Sequence, residues 1–391
     1  VYKRQALSRF TLSPRALATN IGLARTWAPA GARVRAMVKA NAYGHGICEL
    51  LEVFAEHADE LGVATLEEGL QIRSLMDRRM PVFLVSGAKD WGNNEYCDAV
   101  REAGLIPAVS SVDELQLLLD RWSAGNPLRV EIKLDSGMGR LGIQERDLGR
   151  LASVAAGSAD LRIVGVMTHF AASDELDLAS ARDQESSFRR MVAQLPDEIL
   201  QSAAIHSCNS GALLQRGLGE TEIGAATKVV RPGVMLYGAA PSFVLHQSDV
   251  GELLQPVGRW STRVIEVRSV APGNSVGYGG TWTAEGRNPA RVGVLAIGYA
   301  DGFRRTLGNC GRVLIRGGSF PVIGRVSMDM VSVLVDPSVR VGDEAVLLGS
   351  QEGELGSDTI SAWEWSELCD TIPYEIWTSI GPRVVRVLAA D

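Results

Sequence analysis

Residues 34–46 have the sequence VRAMVKANAYGHG, in which a short apolar segment leads directly into Lys39. The β-branched and apolar residues of Val34–Lys39 predict a buried strand. A lysine that ends such a strand is placed for covalent chemistry with a carbonyl compound. The alternative is a lysine whose stem lies along apolar surface while its ammonium stays in water.

Seven further strands follow, and each is separated from the next by a segment that could be helical. They are predicted over Gly62–Thr65, Val82–Ser86, Pro107–Ser110, Val130–Asp135, Val164–His169, Ala204–Asn209 and Val229–Arg231. Helical character is clearest over Asp113–Trp122 and Ala179–Leu195. This alternation predicts a parallel sheet, and eight units are the number that closes a (β/α)8 barrel of the TIM type.

The pattern changes from about Gly258, where strands separated by Gly, Pro and Asn turns replace the alternation. The predicted strands are Trp260–Val270, Val292–Ile297, Arg312–Ile315, Val331–Val335 and Asp343–Leu348, before a helix over Asp358–Cys369. We therefore predict an α/β fold with three parts. A barrel spans 6–242, a linker spans 243–257, and a mainly β domain spans 258–391.

Composition excludes several classes of protein. The 391 residues are 46% hydrophobic and 22% charged, with a net charge of −7, and no Lys/Arg block indicates a nucleic-acid partner. No apolar run approaches the roughly 18 residues that span a bilayer. The five cysteines form no C-x-x-C pair, which favours free thiols and a cytoplasmic location. The histidines show no metal-ligand spacing, so we expect no metal site.

The first residues are atypical of a native start, because the chain begins Val-Tyr-Lys-Arg-Gln instead of at a methionine. We expect residues 1–5 to be foreign or left by truncation. The sequence therefore leaves the native N-terminus, and any removed signal peptide, open.

Polar side chains end four of the predicted barrel strands. Lys39 ends the first, His169 the sixth, Asn209-Ser210 the seventh and Arg231 the eighth. A lone histidine is more often a satisfied core residue, but four strands that agree favour a site at the carboxyl rim. Ser210, Gly211 and Gly233 follow strands seven and eight, where barrels often bind phosphate. An amine and a phosphate site together indicate pyridoxal phosphate (PLP).

A dinucleotide motif is the main decoy. Gly137-Met-Gly139-Arg-Leu-Gly142 fits G-x-G-x-x-G after a strand. The dinucleotide interpretation also needs an acidic residue at the end of the next strand, and Asp160 precedes that strand. We therefore reject it.

The segment Val38–Gly46 resembles the PLP-lysine motif of alanine racemases, which belong to fold type III of the PLP enzymes. The resemblance runs from about Arg9 to Val387. Its other blocks, in family order, are Lys133–Gly142, Met167–Ala171, Val230–Gly238, Ser275–Thr281, Gly298–Gly302, Gly324–Asp329 and Thr371–Glu375. Together these blocks are far more specific than any one alone.

The resemblance implies a homodimer with shared active sites that interconverts L- and D-alanine, as in peptidoglycan precursor synthesis. Lys39 would hold PLP covalently and act as one base, and the partner subunit's Tyr278 would act as the other. The implied cofactor contacts are Tyr43, His169, Asn209, Ser210, Arg231, Gly233, Val234 and Tyr374. Arg140, Met328 and Asp329 would receive the substrate carboxylate. Lys133 matches a lysine that is often carbamylated, and Tyr299, Tyr374, Arg305, Arg325, Asp174 and Ile372 match the substrate access path.

These assignments explain how a proton could be removed from, or added to, either face of the substrate's α-carbon. PLP stabilises the carbanion left when the α-proton departs, and a base on each face allows inversion. A tyrosine is a poor base unless a cation favours its phenolate, and we hypothesise that His169 and Arg231 supply that field. Arg231 cannot release its proton, so it would leave the pyridine nitrogen unprotonated and limit transamination.

Small departures from the family pattern concern side-chain selection. Ser136 stands where Thr is usual, Gly277 where Ser is frequent, and Gly279-Gly280-Thr-Trp282 where Gly-Ala-Thr-Tyr is usual; Cys208 and Met330 also differ. A racemase for serine or a basic amino acid is therefore one alternative. A non-catalytic PLP-binding protein and a fold-related decarboxylase are two others, but the C-terminal domain that carries Tyr278 argues against the first.

Overall fold

The computed structural model describes residues 7–76, 80–85, 89–122, 127–215, 218 and 229–389. Ser86, the predicted end of the third strand, lies outside these ranges. So do residues 1–5, predicted to be foreign, residue 6 of the predicted barrel, and residues 390 and 391 of the predicted β domain.

Nineteen strands are described. In chain order they are β1 (Arg9–Leu12), β2 (Arg33–Met37), β3 (Glu60–Val63), β4 (Val82–Leu84), β5 (Leu105–Val109), β6 (Leu128–Lys133), β7 (Leu161–Met167), β8 (Ala204–His206), β9 (Val229–Val230), β10 (Gly258–Val270), β11 (Ser275–Val276), β12 (Trp282–Thr283), β13 (Ala290–Leu295), β14 (Arg312–Ile315), β15 (Gly318–Ile323), β16 (Val331–Leu334), β17 (Glu344–Gly353), β18 (Gly356–Ile360) and β19 (Val385–Leu388).

Most of the helices lie between the first nine strands, in alternation with them. They are Pro14–Trp27, Ile47–His57, Leu66–Leu75, Asn94–Glu102, Val112–Arg121, Leu148–Ala156, Ala179–Val192, Asp197–Ser202, Ser210–Gln215, Phe243–His246, Ala362–Cys369 and Pro373–Thr378. Short 3-10 turns span Glu145–Asp147, Val234–Tyr237, Tyr278–Gly280, Tyr299–Asp301 and Arg305–Leu307.

The first sheet is the predicted parallel barrel. Its order is β8-β7-β6-β5-β4-β3-β2-β9, and all of its ladders are parallel. A parallel bridge between Asn209 and Arg231 joins the carboxyl ends of β8 and β9, so the ring closes. The eight predicted strands are confirmed, although several end two or three residues early because the polar residues at their ends lie beyond the last rung.

The second sheet has nine strands and is mainly antiparallel. Its order is β18-β17-β14-β15-β16-β13-β10-β1-β19, with a further pairing of β17 and β10. The predicted β character of the C-terminal region is confirmed. Strand β1 was not predicted, and it pairs antiparallel with β10 and parallel with β19. Its partners β10 and β19 lie from Gly258 onward, so no local sequence pattern indicates the pairing.

One predicted helix begins too early. The prediction over Asp358–Cys369 is wrong for its first residues, because Asp358 lies in β18, which pairs with β17. The helix begins at Ala362, where the Ser361 hydroxyl accepts a hydrogen bond from the Glu364 backbone N–H at 3.0 Å. Ser361 is therefore the N-cap, the residue at which the chain changes from extended to helical.

The chain forms two compact units. One comprises residues 17–42 and 50–255; the other comprises 7–16, Tyr43–Glu49 and 256–389. The second unit thus takes residues from both chain ends, and the bounds 6–242, 243–257 and 258–391 remain a prediction. Within the described ranges, no helix is long and apolar enough to cross a bilayer.

Phe10 anchors the N-terminal strand in the second sheet. Its side chain is fully buried and its backbone pairs with Trp260, while a Cβ atom on Gly258 would overlap its ring. The Trp260 indole N–H donates to the Ser8 hydroxyl at 3.0 Å. Glycine at 258 is therefore required by the ring of Phe10.

Gly258→Ala should lower the free energy of unfolding by about 1–3 kcal/mol, because the added methyl forces a buried ring to move. Gly22→Ala is the matched control. Gly22 lies in a helix, and a methyl added there would meet nothing within 4 Å, so alanine should add about 0.5–1 kcal/mol. Urea unfolding followed by tryptophan fluorescence measures both, and equal midpoints would contradict this account.

Candidate functional site

Lys39 follows β2 at the carboxyl rim of the barrel. The Met37 and Val38 N–H groups donate to Pro232 O at 3.0 Å and Gly62 O at 2.9 Å, which holds the strand end between its neighbours. Burial lowers the pKa of the Lys39 amine, the positive charge of Arg140 lowers it further, and Glu68 opposes both. A lowered pKa makes the neutral amine, the nucleophilic form, more available.

The four residues after Lys39 form a left-handed turn. Ala40, Asn41, Ala42 and Tyr43 have φ between 52° and 54°, a conformation that costs L-residues about 1–2 kcal/mol each. The Glu68 carboxylate accepts hydrogen bonds from the N–H groups of Ala40 at 2.6 Å and Ala64 at 2.8 Å. The strand predicted through Lys39 therefore ends at Met37, and Glu68 helps to hold the strained turn that follows.

Arg231 is buried where the barrel closes. One guanidinium nitrogen, Nη2, donates to Thr168 O at 2.5 Å and to Ser207 O at 3.1 Å. The other, Nη1, contacts Nδ1 of His206. Burial lowers the pKa of Arg231 to about 10, with Arg35 as the next cause, so the guanidinium stays charged at neutral pH. Arg231 is thus a rigid, charged donor.

His169 does not carry the charge that we hypothesised. Burial lowers its pKa to about 3, and the charge of Arg231 adds to the effect. A neutral His169 does not fit the cationic part of the role that we hypothesised for it, and its place in the site stays a prediction. The positive field at His169 comes from Arg231, Lys133, Lys39 and Arg140.

Lys133 and Arg140 lie on either side of the turn that follows β6. Burial and the charges of Arg140 and Arg231 lower the pKa of Lys133 to about 8. The Asp135 carboxylate accepts from the N–H groups of Gly137 and Gly139 at 3.2 and 3.0 Å, which shapes the turn that carries the exposed Arg140. The decoy glycines therefore serve a tight turn.

Asn209, Ser210, Gly233 and Val234 lie together after β8 and β9. The Gly233 N–H donates to the Ser210 hydroxyl at 2.8 Å. Within the described part of the chain, no acceptor for the Ser210 hydroxyl proton is found. The Asn209 side-chain oxygen accepts from the Ser173 hydroxyl and from the Ala212 N–H at 2.8 and 3.0 Å. This segment presents donors suited to a phosphate.

The described groups of the barrel fit PLP. The amine of Lys39 suits its aldehyde, the Ser210 hydroxyl and adjacent backbone amides suit its phosphate, and the Arg231 guanidinium suits its ring nitrogen. No cluster of three or more His, Cys, Asp or Glu side chains that could hold a metal ion occurs among the residues described.

The second unit carries most of the other predicted site residues. The Tyr43 and Tyr374 rings lie 5.8 Å apart, and Ile372 caps the helix that carries Tyr374. The Tyr278 side chain is 70% exposed, and a Cβ atom on the neighbouring Gly279 would lie 2.8 Å from Arg325 Nη1.

Met328 and Asp329 are held beside the turn of Tyr299. The Tyr299 N–H donates to Ser327 O and the Ala300 N–H donates to Met328 O, both at 3.0 Å. Arg383 donates to the Asp329 carboxylate at 2.9 Å.

Arg305 is exposed at the start of its own turn. In the barrel unit, Asp174 O accepts from the Ser242 hydroxyl at 2.6 Å.

Sequence reasoning missed His206, Glu131, Glu68 and Arg383. His206 lies inside the predicted strand Ala204–Asn209, and no sequence pattern marks it as functional. Glu131 lies in LRVEIK, where apolar and charged residues alternate, so the local pattern predicts an exposed carboxylate and not a buried one. Glu68 and Arg383 act across long sequence distances and carry no local signal.

Two family models match the chain: the alanine racemase N-terminal domain over residues 12–241, and the alanine racemase C-terminal domain over 257–388. The alanine racemase of Syntrophobacter fumaroxidans is 37% identical over 370 residues, which are 94% of this chain and 93% of that protein. The crystal structure of alanine racemase from E. faecalis superposes with a TM-score of 0.88 at 26% identity, covering 98% of this chain and 99% of that one. That of Bartonella henselae alanine racemase, with covalently bound pyridoxal phosphate, has a TM-score of 0.82 at 28% identity, covering 98% and 100%.

The electrostatics of Lys39 predict opposite effects of two substitutions. Arg140→Ala should raise the pKa of Lys39, because it removes a positive charge, whereas Glu68→Gln should lower it, because it removes a negative one. Competitive acetylation of the cofactor-free protein across pH, read by peptide mass spectrometry, gives that pKa. Lys133 is an internal control: its pKa should rise in Arg140→Ala and stay constant in Glu68→Gln. Equal shifts in both variants would contradict this assignment.

Proposed function

Because the chain belongs to the alanine racemase family, we propose that it interconverts L- and D-alanine with bound PLP. The observation that carries the proposal is the placement of three groups at one barrel rim. They are the buried amine of Lys39, the Ser210 hydroxyl, whose oxygen accepts from the Gly233 N–H and whose proton remains to be donated, and the charged Arg231. Each suits a different part of PLP.

Several residues would hold or face the cofactor in this proposal. Lys39 would form the covalent link, and Arg231 would donate to the ring nitrogen. The remaining contacts would come from Tyr43, His169, Asn209, Ser210, Gly233, Val234 and Tyr374. When bound, PLP supplies an electron sink that stabilises negative charge at the substrate's α-carbon. A donor that keeps its proton would favour an unprotonated ring nitrogen, which limits transamination.

Two bases would serve the two faces of the α-carbon. The Lys39 amine, whose pKa burial lowers, would exchange a proton on one face. The partner subunit's Tyr278 would exchange a proton on the other, since its phenol is largely exposed within its own unit. A phenol is a weak base unless a cation favours its ionised form. Arg231 is one of the charged groups at the barrel rim and could do so, with neutral His169 as a hydrogen-bonding intermediary.

The substrate carboxylate would be received by Arg140 and by the backbone at Met328 and Asp329. The lowered pKa of Lys133 leaves more neutral amine to combine with carbon dioxide, and the resulting carbamate anion would orient the Arg140 guanidinium. Tyr299, Tyr374, Arg305, Arg325, Asp174 and Ile372 would line the access path. The protein would act as a cytoplasmic homodimer, and its five free thiols support a reducing compartment.

Borohydride reduction of purified protein tests the covalent link. Reduction should bleach the visible absorbance of the bound cofactor and fix it on the peptide that contains Lys39. The peptide that contains Lys133, also a buried lysine, should remain unlabelled. Racemisation of alanine should exceed that of serine, lysine and arginine. Label elsewhere, or no turnover of any of these amino acids, would overturn the proposal.

Replacement of Tyr278 by phenylalanine tests the two-base arrangement. Loss of one general base typically lowers a rate by about 10²–10⁴-fold. Tyr278→Phe should therefore slow exchange of the α-proton for solvent deuterium much more for one enantiomer than for the other. Tyr299→Phe, a matched loss of an exposed hydroxyl, should affect both enantiomers alike. A small, symmetric loss in Tyr278→Phe would refute the assignment.

A further inference from the structure

A chain of charged side chains crosses the interior of the barrel behind Arg231. Arg35, Glu60 and Glu131 are 0% exposed, and His206 and Arg231 are 3% and 5% exposed. Glu131 lies at the centre of this chain. Its carboxylate accepts from Arg35 at 2.6 and 2.7 Å on one side and contacts His206 Nε2 at 3.0 Å on the other.

The contacts of His206 determine which of its ring nitrogens carries the proton. A guanidinium can only donate hydrogen bonds, so the Nδ1 atom that faces Arg231 Nη1 must be unprotonated. The proton therefore lies on Nε2, from which it is donated to Glu131. Burial keeps the ring neutral at physiological pH, because it lowers the pKa of His206 to about 3.

Glu131 is the group that selects this tautomer. A carboxylate can only accept, so it requires the proton on Nε2 and leaves the lone pair of Nδ1 to Arg231. Arg35 balances the charge of Glu131. Burial raises the pKa of Glu131, but the charge of Arg35 and the contacts with Arg35 and His206 outweigh burial and hold that pKa well below its usual range. A Cβ atom on Gly165 would overlap Glu131 Oε1, so β7 leaves the carboxylate little freedom to move.

We propose that Glu131 is a positioning residue for the reaction: through His206 it holds Arg231 in the pose in which the guanidinium donates to the cofactor ring. The proposal rests on the proposed function. With the opposite tautomer, an N–H of His206 would face an N–H of Arg231 and push the guanidinium aside. Arg231 would then hold the ring nitrogen less well, and more substrate would be lost to transamination.

The competing interpretation is that Glu131 merely neutralises Arg35 inside the barrel. Glu60 provides the matched control. It is equally buried and accepts from Arg35 Nε at 2.7 Å, but it forms its ion pairs with Arg35 and Arg33 and not with His206. Glu60→Gln and Glu131→Gln remove the same charge from the same arginine, and only the second alters the partner of His206.

The transamination side reaction provides the first readout. In it, the amino group of alanine stays on the cofactor as pyridoxamine phosphate and the carbon skeleton leaves as pyruvate, so two electrons pass from amino acid to cofactor. Glu131→Gln should raise the pyruvate formed per racemisation turnover roughly tenfold, the equivalent of one charge-assisted hydrogen bond. It should also shift the absorbance spectrum of the bound cofactor in the same direction as Arg231→Glu, a variant that removes the guanidinium itself. Glu60→Gln should leave the ratio and the spectrum as in the unmodified protein.

A second variant covers the case in which Arg35, left in Glu131→Gln with Glu60 as its remaining carboxylate partner, prevents folding. Arg35→Met with Glu131→Gln removes both charges, and replacement of a buried pair by neutral groups is often tolerated. Glu60 keeps Arg33 as its partner. The double variant should show the same rise in pyruvate. A folded Glu131 variant whose ratio and spectrum match those of Glu60→Gln would overturn the proposal.

The tautomer of His206 can be measured in the protein with Glu131, His206 and Arg231 all unchanged. Nitrogen-15 NMR of histidine-labelled protein, in which His206→Asn identifies the signal among five histidines, reports the protonation of each ring nitrogen. We expect His206 to be protonated on Nε2 only. A proton on Nδ1, alone or with Nε2, would overturn the proposal. The result of this measurement does not depend on whether the protein racemises alanine. It therefore tests the contacts from Glu131 through His206 to Arg231 independently of the proposed function.

Discussion

Closure of the parallel sheet at Asn209 and Arg231 is the constraint on which the site depends. That bridge places the end of β8 against the end of β9. It therefore brings the donors around Ser210 beside the guanidinium of Arg231, while β2, the other neighbour of β9, delivers Lys39. If the ring were open there, these groups would lie at opposite edges of a sheet.

Closure also creates the problem that the buried charges solve. The barrel interior encloses two arginines, two glutamates and a histidine, and an unpaired charge there would cost several kcal/mol. Each guanidinium is satisfied by carboxylates, a histidine lone pair or backbone carbonyls. This network decides where the N–H groups of Arg231 point.

Backbone strain has a similar origin at Lys39. Four consecutive left-handed residues are unfavourable on their own and persist only where other contacts determine them. Glu68 bonds to the first of these residues. Gly44, which follows the turn, accepts hydrogen bonds from Arg386 at 3.1 and 2.8 Å. The turn that begins directly after the lysine thus depends on Glu68, which is far from it in sequence.

The sequence alone determined the eight barrel strands, the change to β structure near Gly258 and the rim residues Lys39, His169, Asn209 and Arg231. Strand periodicity is local, and the rule that parallel strands end at one rim converts it into a site. Only the tertiary structure decided the partners of Arg9–Leu12 and the start of the helix at Ala362. It also decided the neutral state of His169, because that state follows from burial and no local sequence pattern predicts the burial of this side chain. The contacts from Glu131 through His206 to Arg231 were also decided by the tertiary structure, since they need three strands that meet only when the barrel closes.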